Sequence, residues 1–169
     1  MKKITATYRV DYRRKRQSKT NYRKRLNILK TEHPRLVIRK YSKNFIVQLV
    51  QYSPDGDKVL AGASANNLRK LGWNAGTGNS PAAYLVGYIV GKDAVKKNHK
   101  EAVLDLGLQV STKGSRIYAG LKGALDAGMS INHNPEMIPS EDKINGKQID
   151  AYKKSGLSKL FQEVKGKLK

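Results

Sequence analysis

Apolar positions in this 169-residue chain change their spacing from one segment to the next. Leu36-Val37-Ile38, between Arg35 and Arg39, and Phe45 to Val50 are short β-rich runs that read as strands. Ser53-Pro54-Asp55-Gly56 reads as a turn, with proline presetting φ and glycine taking the left-handed position. Lys58-Val59-Leu60-Ala61 then completes a three-stranded meander. Further on, the period lengthens. Leu68 and Leu71 follow Ser64 in a short helix that Gly72 stops. Ser80-Pro81 opens a stronger helix, with proline at its first position, that runs from Pro81 to about Lys97. Its buried face is Ala82, Leu85, Val86, Ile89 and Val90. Ala102 to Leu106 is another strand, and Ser115 caps a helix with Ile117, Leu121 and Leu125 four apart, ended by Gly128. Gly120, Gly123 and Ala124 keep that helix slim for close packing on a sheet. Three strands followed by alternating helix and strand describe an α/β sandwich on a mixed sheet.

The flanks are different. Residues 1–17 hold little apolar content and read as extended or irregular until a partner is met. Ser18 or Thr20 caps a helix to about Glu32, which Pro34 closes. Tyr22, Leu26 and Leu29 share one face of it, the face expected to pack on the core. After Pro135 and Pro139 the chain turns polar, and residues 144–169 read as one or two basic helices on the periphery. The expected organisation is a basic arm and helix (1–33), an α/β core (34–135) and a partly helical C-terminal extension (136–169).

Charge sharpens this picture. Thirty-four Lys and Arg stand against thirteen Asp and Glu, a formal +21. A compact domain repels itself at that charge unless a polyanion neutralises it. Sixteen of the cations and two of the acids lie in residues 1–43, with eight of the ten arginines: Arg9, Arg13, Arg14, Arg16, Arg23, Arg25, Arg35 and Arg39. Arginine grips phosphate with a planar fork and stacks on bases, as a lysine ammonium cannot. Tyr8, Tyr12, Tyr22 and Tyr41 interleave with them, which suits unpaired bases better than lipid headgroups. Nucleic acid is therefore the expected partner. The chain has no cysteine, which excludes disulfides, Cys-based zinc sites and thiol nucleophiles. Met1-Lys2-Lys3-Ile4 leads into charge rather than into an apolar leader. The longest uncharged apolar run, Pro81 to Gly91, is far short of the ~20 residues of a membrane span. A soluble, intracellular protein is expected.

Candidate chemistry is sparse. Gly76-Thr77-Gly78 begins like a nucleotide-binding loop, but Pro81 takes the third glycine position and no Gly-Lys-Ser/Thr follows, so it reads as a helix-entry loop. His33, His99 and His133 lack metal-ligand spacing. Trp73, the only tryptophan, fits either a core lid or an exposed contact. Asp55 and Asp57 flank a turn, where carboxylates usually solvate a hairpin. A meander followed by helices is also the topology of RNase H-like nucleases, which hold two Mg²⁺ ions on several carboxylates. Here the first strand carries no acid and Asp105 is the only one within a probable central strand, too few for a two-metal site.

Several segments together resemble one family. They are Arg13-Arg14-Lys15-Arg16 leading to Lys19-Thr20-Asn21-Tyr22-Arg23, then Pro34 to Arg39, Gly72-Trp73, Asn79 to Leu85, Glu101 to Gly107 and Ser115 to Ala124. In that order, spanning about residues 9–150, they resemble the archaeal-type large-subunit ribosomal protein eighteen. The resemblance implies a cytoplasmic, non-enzymatic 5S rRNA binder in the central protuberance, beside 23S rRNA and large-subunit protein five. It also implies an α/β core of the translational-machinery branch of the RNase H-like fold, with no nuclease site, metal or cofactor. The candidate RNA contacts are Arg9, Tyr12, Arg13, Arg14, Lys15, Arg16, Lys19, Arg23, Lys24, Arg25, Arg35, Arg39 and Lys43. The alternatives are a metal-dependent nuclease using Asp55, Asp57 and Asp105, and a non-specific basic packaging protein.

Overall fold

The structure is a computed structural model that describes residues 6–153 and 155–168. The expectations for residues 1–5 of the arm, and for Lys154 and Lys169, lie outside the described residues. Five strands form one mixed sheet: β1 (Arg35–Lys40), β2 (Phe45–Gln51), β3 (Lys58–Ser64), β4 (Glu101–Asp105) and β5 (Ser130–Ile131), in the order β3-β2-β1-β4-β5. The meander is antiparallel, with Val37 opposite Gln48 and Val47 opposite Ala63. β4 runs parallel to β1, and β5 parallel to β4. Parallel neighbours need long crossovers, and two helices supply them: α3 (Ser80–Lys96) and α4 (Arg116–Asp126). Sequence reading missed the two-residue β5.

β1 and β2 alternate, whereas a bulge in the β2–β3 pairing between Leu49 and Val50 shifts the register of β3 and leaves Val59 on the face opposite to Ala61. Leu36, Ile38, Phe45, Val47 and Leu49 are buried toward α3 and α4, while Arg35, Val37, Arg39, Gln48 and Val50 face the other way. The expected α/β fold on a mixed sheet is therefore seen as two layers, with α3 and α4 on one face of the sheet and Arg35, Arg39 and Gln48 among valines on the other. From Pro81 to Gly91 α3 is apolar on all sides and almost wholly buried, while Lys92, Asp93 and Lys96 bring charge to its last turns. β2 and β3 contact it on one side, α4 flanks it, and α7 (Leu157–Leu168) covers it further out. Its N-cap is Asn79, whose side chain accepts from the Ala82 N–H, rather than Ser80. The glycines of α4 meet another helix as well as the sheet. A Cβ on Gly120 would strike the Phe45 ring at 2.8 Å, but one on Gly123 would stand 2.1 Å from the Tyr84 carbonyl oxygen of α3.

The C-terminal extension is α5 (Glu141–Ile144), α6 (Lys147–Lys153) and α7. Its expected peripheral position is corrected: Ile144, Leu157, Phe161 and Val164 join the main core, and Phe161 lies 5.5 Å from Tyr84 between ring centroids. Asp150 of α6 accepts from the Leu157 and Ser158 N–H groups, satisfying the first turn of α7 from outside that helix. Trp73 is fully buried, its indole N–H bonded to the Gly76 carbonyl, so it is a core residue.

At the other end, one helical turn, α1 (Arg13–Arg16), interrupts the segment expected to be extended or irregular. α2 (Tyr22–Leu29) is shorter than expected and is capped by Asn21, which accepts from the Lys24 N–H. Neither α1 nor α2 buries a residue. Tyr22 packs on Tyr12 of the arm, ring centroids 5.2 Å apart, not on the core, and Leu26 is 58% exposed.

Candidate nucleic-acid interface

The open face of the sheet and α2 enclose a trough of about 910 Å³. Val37 of β1, Val50 of β2 and Val59 of β3 supply an apolar floor, with Gln48 among them. Arg14, Lys19 and Lys24 form a cationic wall on the side of α1 and α2, and residues 104–111 complete the lining. That loop is held like an extra strand: the Gln109 amide accepts from the Lys40 N–H and donates to the Lys40 carbonyl. A second hollow of about 800 Å³ adjoins the first through Thr20, Asn21 and Leu108. It is lined by Arg9, Tyr12, Lys15, Tyr22 and Arg23, so aromatic faces stand among cations there.

Beneath the trough runs a chain of five alternating charges. Arg25 of α2 donates to both oxygens of Asp57, at 2.8 and 3.0 Å. Asp57 also accepts from Arg35 at 2.6 Å, and Arg35 in turn donates to Asp105 at 2.9 Å. Arg39 reaches both the carboxylate and the main-chain carbonyl of Asp105, at 3.2 and 2.6 Å. Gly107 donates to the same carboxylate, and a Cβ there would press on the Arg39 guanidinium at 3.0 Å. Burial pushes the Asp57 carboxyl up, but the hydrogen bonds and charges of Arg25 and Arg35 outweigh it and hold the group below its ordinary 3.8.

The thirteen candidate contacts fall into distinct settings. Arg14, Lys19, Lys24, Arg25, Arg35 and Arg39 line the trough, and Arg9, Tyr12, Lys15 and Arg23 line the second hollow. Arg13, Arg16 and Lys43 are exposed and line neither. Lys15 pairs with Asp11 at 2.7 Å, and Arg14 donates to Thr20 at 2.8 Å. Arg35 needs correction as a surface contact. It is 3% exposed with both terminal nitrogens on carboxylates, so no fork is left for a phosphate. Arg39 is half-buried and likewise engaged.

Residues 6–103 and 95–134 match the family model described as "Ribosomal large subunit proteins 60S L5, and 50S L18". Over 145 residues, 86% of this chain and 74% of the relative, the chain is 48% identical to the large ribosomal subunit protein uL18 of Korarchaeum cryptofilum. The chain belongs to this family of large-subunit ribosomal proteins. In this uL18-family chain two of the acidic candidates for metal chemistry have other partners: Asp57 and Asp105 serve arginines. Among the described residues, no three His, Asp or Glu side chains converge as metal ligands. The Gly76-Thr77-Gly78 loop packs against the β1–β2 turn, with the Thr77 hydroxyl donating to the Lys43 carbonyl and Arg116 to that of Gly78. No described helix is long and apolar enough to cross a membrane. Sequence reading missed Asp57 and Gln48 as parts of the site. A signal for the first was present, since an acid in a central strand (Asp105) and arginines two positions either side of Val37 imply a buried charge chain with its own carboxylates.

Proposed function

We propose that this protein binds 5S rRNA and helps to anchor it in the central protuberance of the large subunit of the cytoplasmic ribosome, beside 23S rRNA and large-subunit protein five. It acts as a structural component rather than an enzyme. The observation that carries this reading is the one-sided surface: cations and tyrosines of residues 9–25 surround two adjoining hollows on the open sheet face, in a member of a large-subunit ribosomal family. Arg13, Arg16, Lys19 and Lys24 meet phosphates, while Tyr12 and Tyr22 offer ring faces to unpaired bases. Arg35 and Arg39 act from beneath, by holding the sheet edge and the trough floor in shape. The strand order, with a parallel fourth strand beside an antiparallel meander, supports reading the core as the translational-machinery branch of the RNase H-like fold.

The test is competition binding of the full chain to labelled 5S rRNA. Binding should survive a large excess of random duplex DNA and leave no cleavage products with Mg²⁺. Loss of the complex to bulk duplex would favour a packaging protein, and turnover of an RNA–DNA hybrid would favour a nuclease.

A further inference from the structure

We propose that Asp57 is a positioning residue for RNA: its carboxylate, shared by Arg25 and Arg35, clasps α2 over the open sheet face and so sets the spacing of the trough's cationic wall. This rests on the RNA-binding reading above. α2 is weakly anchored by apolar contact, since it fully buries no residue, leaves Leu26 exposed and only half-buries Ile28 and Leu29. Among the described residues, the hydrogen bonds that tie α2 to the strands and their turns run from Arg25 to Asp57. The other end of the clasp is rigid. Asp57 sits immediately before β3 and accepts from Arg35, which is buried in β1 and fixed independently by Asp105. A carboxylate gripped from two sides by arginines stays ionised, so the clasp is closed before RNA arrives. Lys24 precedes Arg25 and Lys19 lies just before the helix, so the position of α2 sets where both stand in the wall.

An acid bordering a polyanion site would weaken binding if charge alone mattered, because removing it makes the surface more positive. Positioning predicts the opposite sign. In the full chain, Asp57→Asn should lower affinity for 5S rRNA about fivefold or more, while affinity for a random RNA duplex of equal length is unchanged or tighter. Amide exchange over residues 25–29 of the free protein should quicken at least threefold, and Asp57→Glu should restore both. Equal or tighter 5S rRNA binding by Asp57→Asn, or unchanged exchange over residues 25–29, overturns the proposal and leaves Asp57 as a counter-ion for Arg35. Should Asp57→Asn lose its cooperative unfolding transition, Arg25→Lys carries the test in the free protein. It keeps Asp57 on Arg35 and replaces the fork with a point charge, so exchange over residues 25–29 should still quicken, and unchanged exchange overturns the clasp. Wild-type protein that does not prefer 5S rRNA to the duplex defeats the RNA-binding reading itself, a result distinct from either arm.

Discussion

A guanidinium whose terminal nitrogens already rest on carboxylates has little left to offer a phosphate, and this separates Arg35 from Arg13 and Arg16. Arg35 sits between Asp57 and Asp105 with its side chain 4% exposed, where an uncompensated charge is costly. Asp105→Asn keeps the shape and removes the charge, so it should destabilise the fold by about 3–5 kcal/mol, read from urea unfolding. A loss under about 1 kcal/mol would mean that Asp57 alone satisfies Arg35. Arg13 and Arg16 are exposed, and Arg14 stands between them at the edge of the trough. Replacing all three with alanine should shrink the slope of log affinity against log salt by roughly 2–3, at ~0.7–0.9 for each phosphate no longer neutralised. An unaltered slope would mean that these side chains face away from the RNA backbone.

At the scale of elements, two junctions hold the helical layer together. The first is α3 against α4, where backbones meet without side chains between them: a Cβ on Gly87 would lie 1.9 Å from the Gly120 carbonyl oxygen. Neither backbone can yield without moving its helix, so Gly87→Ala and Gly123→Ala should each cost about 3 kcal/mol or more, at the upper end of overpacking effects. Gly166→Ala, in α7 with open space around it, should instead be neutral or stabilising by about 0.5–1 kcal/mol. The second junction is Asp150 with the start of α7. The Ser158 hydroxyl, the Ser158 N–H and the Leu157 N–H together lower this carboxyl to about 2. Because the folded value lies below the unfolded one, its contribution is fully present above pH ~4 and lost as pH falls toward about 2. Wild type should therefore melt higher than Asp150→Asn at neutral pH, with the difference closing between about pH 4 and pH 2. A difference that persists unchanged at pH 2 would show that the charge on Asp150 contributes nothing to holding α7.

For the whole molecule, cohesion and cationic charge are separated in space. The core is built from residues between Leu36 and Val164, and α1 and α2 add no buried side chain to it. Deleting residues 1–17 should leave the cooperative thermal transition within a few degrees of wild type while cutting 5S rRNA affinity at least tenfold. Loss of the transition would show that the arm is part of the fold. Exchanging Arg9, Arg13, Arg16 and Arg23 for lysine keeps the net charge and removes only the planar forks, so discrimination of 5S rRNA from a random duplex should fall more than total affinity. Retained discrimination would assign specificity to the trough floor instead of its rim.

The alternation in residues 35–50, the helical spacing after Pro81 and the crowding of arginine before residue 43 are local patterns, so the mixed α/β class, the major helices and the polyanion partner were legible in the linear chain. Partners distant in sequence were not. Asp57 and Arg25 are 32 positions apart, and Asp105 and Arg35 are 70 apart. The pairing of β1 with β4 brings Arg35 to Asp105, and that of β3 with β2 brings Asp57 within reach of Arg25 and Arg35, so two acids that had stood as metal-ligand candidates are counter-ions of arginines. The C-terminal helices looked peripheral for the same reason: Leu157, Leu160, Phe161 and Val164 give α7 an apolar face, but Tyr84, which meets that face, lies 77 positions before Phe161. Periodicity determines which face of an element is apolar. What covers that face, and which charge neutralises which, depends on contacts that exist only once the chain has closed on itself.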